Sequence, residues 1–412
     1  VSTPGDPGAA AAPEPSARSA GPDVENAVDS VTDDLVSGDP VSDDPASEAV
    51  DEIVVSEPIA ASIDAVVSKE RRREIRWLLA GAVFLVVAVI VGASIGPAGP
   101  PAWRIPLAML DHLPVISIDS GVSEAEWNII WQIRMPRVVL GVLVGAMLSA
   151  AGAGYQGVFR NPLVDPYLLG AAAGAGLGAT IMLTTGRDVT TDWPIDPVQL
   201  VAFAFALGTV AVTYSVGASF GGRRSGATLV LAGVAVVSFA TAIQTFILQR
   251  NLDVVREVFQ WILGRLSGAT WSDVATVIPY VAVSVVVLML HRRHLDVFRV
   301  GDDEAATLGV SVQRTRLVIV IAATLGTAAV VSVSGLIGFV GLVVPHVVRL
   351  MAGASYRLVI PLSLLFGGGF LVLADVLGRQ LMSPAETPIG VITAFIGAPF
   401  FIYLLRTRRV AG

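Results

Sequence analysis

Residues 77–96, WLLAGAVFLVVAVIVGASIG, form a run of twenty residues without a charge. About twenty apolar residues cross the ~30 Å hydrocarbon core of a bilayer as a helix. The run recurs: further candidates lie near 137–157, 166–185, 197–220, 227–249, 274–291, 315–335, 337–352, 358–377 and 387–405. Ten such spans predict an all-α polytopic membrane protein. The eighth is short, and 315–352 is nearly continuous apolar sequence, so the boundary there is the least defined.

Charge divides the chain into two parts. Residues 1–68 hold fifteen acidic residues and one basic residue, Arg18, a net charge of −14. The remaining 26 basic and 19 acidic residues, all in 69–412, give +7. The acidic part is rich in Ala, Ser, Pro and Val and nearly free of aromatic residues. It cannot bury enough apolar surface to offset the entropy of ordering, so 1–68 reads as a disordered acidic cytoplasmic tail. No basic segment followed by an apolar one appears there, so it is not expected to be a signal peptide. The transmembrane domain is expected over 69–412, opening with the basic cluster KERRREIR at 69–76.

With the N-terminus inside, the segments on the cytoplasmic side carry 18 Lys or Arg, against eight on the other side. That asymmetry predicts cytoplasmic N- and C-termini. Trp103, Trp127, Trp131, Trp193, Trp261 and Trp271 then fall near the outer ends of spans, as interfacial anchors.

Several chemistries are excluded. There is no cysteine, hence no thiolate metal site or cysteine nucleophile. The four histidines are scattered, and His291 and His294 sit beside Arg292 and Arg293 at a span end, so no metal site is expected. The single lysine, Lys69, stands in VVSKE rather than after a glycine-rich turn, so this chain has no P-loop and does not bind ATP itself. Ionisable groups in the spans are confined to near their ends: His291, His346, Arg349 and Asp375. An ion-coupled transporter generally needs acidic or histidine groups inside the membrane. No nucleophile–base pair stands out either, so no catalytic residue is expected.

Small residues recur every four positions at Gly141, Gly145, Ser149, Ala153 and Gly157, and again at Gly170, Gly174 and Gly178. That spacing makes a helix ridge where backbones approach closely. Ser149, Gly152, Pro162 and Gly170 also match Ser332, Gly335, Pro345 and Gly353 at one offset of 183, a possible inverted repeat. The loop 291–316 contains GDDEAATLGV. Asp302 suits an N-cap, Asp303 and Glu304 suit the positive end of a short helix, and Gly309 suits its C′ position. Such a helix is either a docking knob or an ordinary connector, and the pattern alone does not separate the two.

Eight segments occur in order: IRMPR (133–137), GYQGVFRNPLVDPYLLG (154–170), VLAGVA (230–235), QWILGRLSGATW (260–271), GDDEAATLGV (301–310), SGLIGFVGLVVPHVVRLMAG (334–353), ADVLGR (374–379) and PAETPIGVITAFIGAPFFIYLL (384–405). Together they resemble the FecCD-type permeases, which import ferric siderophores, haem and cobalamin. The resemblance covers about 77–405 and leaves out the acidic tail. It implies a cobalamin-permease-like fold with ten helices. It implies a second permease subunit, two cytoplasmic ATPase subunits that hold the ATP, and an extracytoplasmic substrate-binding protein. No nucleic acid and no cofactor of its own are implied. The family's ATPase-coupling helix maps onto Asp302, Asp303, Glu304, Ala305, Ala306, Leu308 and Gly309. Its binding-protein-docking arginines map onto Arg134, Arg137 and Arg379, whose alternative role is headgroup anchoring. Its cytoplasmic gate maps near Ser225, Gly226 and Ala227, where Gly226 and Ala227 replace the family's hydroxyl side chains.

The expected function is the membrane-spanning, non-enzymatic permease subunit of an ATP-driven importer in a prokaryotic plasma membrane. Ferric siderophore is the first expected cargo, cobalamin or haem the alternatives. A secondary transporter without an ATPase is the competing class, and a membrane scaffold displaying the tail a third.

Overall fold

The computed structural model describes residues 57–96, 100–111, 121–185, 195–219, 226–382 and 385–410. The chain divides into two units, Val1–Val67 and Ser68–Gly412. The tail expected over 1–68 lies mostly outside the described residues. Its last part does not: helix α1 runs over Glu57–Ser94, well upstream of the expected start at 77.

The described residues are helical, without strands. After α1 come a short α2 (Arg104–Asp111) and α3 (Glu124–Asn128), which passes through a π-helical turn, Ile129–Arg134, into α4 (Met135–Val158). Then follow α5 (Ala171–Thr185), α6 (Pro197–Ser219), α7 (Gly226–Arg250), α8 (Val255–Ile262), α9 (Trp271–Val297), α10 (Asp302–Thr307), α11 (Val312–Ser334), α12 (Val340–Ala352), α13 (Tyr356–Leu381) and α14 (Ile389–Val410). Among the described residues seven helices are long and apolar enough to cross a membrane, and α5, α12 and α14 are shorter apolar helices. Each lies at one of the ten spans expected from hydropathy.

The centre of the body is α4, which packs on α9, α11, α12 and α13. Its most apolar window is 78 % buried, whereas the windows of α1 and α7 are 22 % buried and present their remaining surface outwards. Glycine sets this packing. A side chain at Gly145 would overlap the Gly367 carbonyl of α13, and one at Gly152 would overlap the Gly341 carbonyl of α12. Gly141 faces Val372, and Gly157 faces Leu295 and Tyr356. Ser149 and Ala153 complete this ridge, both fully buried. On α5, Gly174 and Gly178 lie against the Phe205 and Val201 carbonyls of α6, and Gly170 lies against Thr209.

The boundary inside 315–352 is a five-residue backbone break, Gly335–Phe339, between α11 and α12. Gly335 has φ +69° and Phe339 φ +67°. A bulky residue in the left-handed region is an outlier that its surroundings must impose. At 1.5 Å per residue α12 is only about 20 Å long, less than the bilayer core, which puts the break at membrane depth. Non-helical backbone is tolerated there only when protein covers it, and Gly335, Ile337 and Val340 are buried.

Of the offset-183 pairs, Ser149 and Ser332 are both helical and Gly170 and Gly353 both take positive φ, +93° and +102°, but the other two pairs differ. Gly152 lies inside α4 while Gly335 ends α11, and Pro162 lies in a loop while Pro345 lies inside α12.

Candidate functional site

Two ends of the body carry clustered polar side chains, and a third place is an apolar groove. The first is the end of the body where α1, α4 and α13 meet. Arg134 is the last residue of the π-helical turn and is buried. Arg134 is 6 % exposed and donates from Nη1 to the carbonyls of Ala93 and Ser94 at 3.0 and 3.4 Å. Arg379, 5 % exposed, donates to the carbonyls of Ile95 and Gly92 and lies 3.1 Å from Asp375. Arg137 forks between two carboxylates, with Nη2 at 2.8 Å from Asp375 and Nη1 at 2.8 Å from Glu386.

The family resemblance mapped binding-protein docking onto these three arginines, and the structure shows what each one bonds within the chain. Arg134 and Arg379 are buried staples on the last carbonyls of α1, and Arg137 is committed within the chain. The physical reason is that α1 ends unpaired carbonyls among apolar side chains, where guanidinium donors satisfy them at short range. Glu386, with a side chain 36 % exposed, is the rim of the cluster.

Around this end the tryptophans behave differently from one another. Trp127 and Trp131 stack at 5.8 Å, Trp131 meets Trp271 at 5.1 Å, and the Trp271 indole donates to the Trp131 carbonyl. Trp103 is 65 % exposed, but Trp261 is 8 % exposed and belongs to the core, against its reading as an anchor. Its helix α8 has one apolar face, and that face turns inwards. Trp193 lies outside the described residues.

The second place is the opposite end, around α10. Asp302 opens this helix at N1, and Gly301, at φ +134°, takes the N-cap position expected for Asp302. The Asp302 carboxylate is spent on arginines instead: Arg316 of α11 at 3.0 Å and Arg160 of the α4–α5 loop at 3.5 Å. Ala305 is buried, which seats the helix, and Gly309 follows it at φ +79°. Asp303, Glu304 and Ala306 face out, and Leu308 is 67 % exposed.

The third place is a groove of about 530 Å³ lined by Ile262, Leu263, Leu336, Gly390, Phe395 and their neighbours on α8, α14 and the break. Its lining is apolar. Toward the arginine end, the adjoining stretches Gly264–Ser267 and Thr387–Ile389 line a second cavity of about 230 Å³ with Arg137, Asp375 and Glu386. Of the expected gate residues, Ser225 lies outside the described residues, and Gly226 and Ala227 form the first turn of α7. The gate stretch and the loop-end knob are separate positions on the chain. No group of three or more metal-ligating side chains occurs among the described residues.

Comparison with known proteins fits this architecture. The profile of the FecCD transport family matches residues 83–407. The cobalamin import system permease protein BtuC of Halobacterium salinarum is 39 % identical over 82 % of this chain and 98 % of its own length. The Fe(3+)-citrate import system permease protein YfmD of Bacillus subtilis is 36 % identical over 74 % of this chain and 88 % of its own. A solved inward-facing structure of a metal-chelate type ABC transporter superposes with a TM-score of 0.69 at 26 % identity, covering 81 % of this chain and 99 % of that one. The ten apolar helices among the described residues and the family match over residues 83–407 make this chain a multi-pass membrane permease that belongs to the FecCD transport family.

Proposed function

We propose that the chain is the permease subunit of an ATP-driven, binding-protein-dependent importer, with a ferric siderophore as cargo and cobalamin or haem as the alternatives. The observation that carries this reading is α10, a short seated helix with Leu308 exposed, in a chain that matches ABC permeases over nearly their whole length. The named relatives import cobalamin and ferric citrate, and the solved neighbour is a metal-chelate type, which supports a bulky chelate as cargo.

In this reading both termini are cytoplasmic and α10 receives one of two separate ATPase subunits. ATP is hydrolysed there and no covalent chemistry falls to this chain. The apolar groove faces a second permease subunit across the pathway. The gate lies near Ser225–Ala227. The binding protein docks on the arginine end, with Arg137 and Glu386 at the contact and Arg134 and Arg379 bracing the backbone beneath it. Charges so placed set approach and register more than affinity.

Replacing Leu308 and Gly309 with Arg tests the reading. The expected result is loss of the ATPase from the purified complex and loss of labelled chelate uptake. If the ATPase co-purifies and turns over as before, α10 is only a connector. Chelate uptake that continues without ATP favours the secondary-transporter class.

A further inference from the structure

The loop between α4 and α5, residues 159–170, touches both the knob at the cytoplasmic end and the backbone break at membrane depth. At its start Arg160 sits at φ +50°, a left-handed conformation that a non-glycine residue adopts at a cost. In that conformation its guanidinium reaches Asp302, the first residue of α10, at 3.5 Å. At the loop's far end the Tyr167 hydroxyl clips the break on both sides. It donates to the Ile337 carbonyl at 3.0 Å and accepts from the Ile337 amide at 3.2 Å.

Between these ends the loop is tied to α12. Gln156, 1 % exposed, donates its amide to the Val164 carbonyl at 3.2 Å and to the Gly341 carbonyl at 3.1 Å. Its oxygen accepts from Arg349 of α12. The backbone of the loop continues the chain of contacts, with Asn161 N donating to Gln156 O at 3.1 Å. One segment therefore joins the first residue of α10 to both Ile337 and Gly341. The break it holds carries the second non-glycine left-handed residue, Phe339.

We infer that the α4–α5 loop is the lever by which α10 sets the conformation of the Gly335–Phe339 break. Asp302–Arg160 is its input and Tyr167 its output. This rests on the importer reading for the meaning of the input, namely movement of an ATPase against α10. A competing route exists: Asp302 also holds Arg316 at the foot of α11, and α11 ends at Gly335. The two routes differ in whether Tyr167 is needed. Asp302, Arg160 and Tyr167 are positioning residues, and none is assigned contact with cargo.

The chain has no cysteine, so one introduced thiol reports one place. Leu336 belongs to the break and lines the apolar groove. The experiment measures the reaction rate of Leu336→Cys with a small methanethiosulfonate, using the purified full chain in nanodiscs without any ATPase. Asp302→Asn is expected to change that rate at least threefold, although it lies on the far surface. Tyr167→Phe is expected to change it too, and to abolish the response to Asp302→Asn, so that the double variant matches Tyr167→Phe alone. Independent effects that multiply in the double variant overturn the lever and assign coupling to α11. An unchanged rate in Asp302→Asn overturns it as well. Arg160→Gln repeats the input test should Asp302→Asn fail to fold. Because no partner is present, failure here leaves the importer reading standing, and loss of that reading is seen separately in ATP-dependent uptake.

Discussion

Gly152→Ala is the substitution whose cost the structure specifies most closely. Gly152 lies where α4 crosses α12, and an added Cβ would sit 2.7 Å from the Gly341 Cα and overlap its carbonyl. The obstacle is backbone, so no rotamer change relieves it and α12 must move. Overpacking of this kind costs about 1–3 kcal/mol. The displaced Gly341 carbonyl also loses its bond from Gln156, 3.1 Å long in the native chain, at about 1 kcal/mol. Replacing glycine by alanine inside a helix returns about 1 kcal/mol. The net expectation is a destabilisation of about 1–3 kcal/mol. Gly208→Ala is the matched control: it is also helical, and nothing lies within 4 Å of its added Cβ. It is expected to be neutral or to stabilise by up to about 1 kcal/mol. Reversible unfolding of the purified chain in mixed micelles of increasing denaturing detergent reads both. Equal stability of the two variants would refute the argument that α4 and α12 are in backbone contact at Gly152.

Two further substitutions separate buried charge from buried polarity. Asp375 is 4 % exposed and lies between Arg137 and Arg379, so Asp375→Asn leaves Arg379 without its carboxylate. Removing one partner of a buried pair costs about 3–5 kcal/mol, and the same titration should register the lower end of that range because Arg379 keeps its carbonyl partners. Gln244→Leu removes two bonds, 2.9 Å to the Thr180 hydroxyl and 3.3 Å to the Gly176 carbonyl, while Thr180 keeps its own 2.7 Å bond to that carbonyl. Side-chain hydrogen bonds between membrane helices average about 0.6 kcal/mol, so a loss above ~2 kcal/mol would contradict this assignment.

Hydropathy made the body legible because each span is a continuous apolar run set off by charges or glycine. The family resemblance was legible because its motifs are local. What the sequence did not show were partners far apart in the chain. Tyr167 meets Ile337 across 170 residues, and Arg137 meets Asp375 across 238. Arginines near span ends therefore read as surface cations, although the carboxylates and helix-terminal carbonyls that absorb them are supplied by other helices. Asp302 read as an N-cap because that is its local preference, but two arginines brought close by tertiary packing outcompete the helix end for its carboxylate. The break at Gly335–Phe339 was half legible. Gly335 and Gly338 interrupt the apolar run, but nothing local marks Phe339 as left-handed. The lone signal for the Arg160–Tyr167 loop was its density of Asn, Asp and Pro within an otherwise apolar stretch.

The most direct test of the account is uptake by the reconstituted transporter. Proteoliposomes holding this chain with its ATPase, presented with a loaded binding protein, should accumulate labelled ferric siderophore, cobalamin or haem only when ATP is inside the compartment that bears α10. Accumulation without ATP hydrolysis, or driven by an ion gradient instead, would contradict the account.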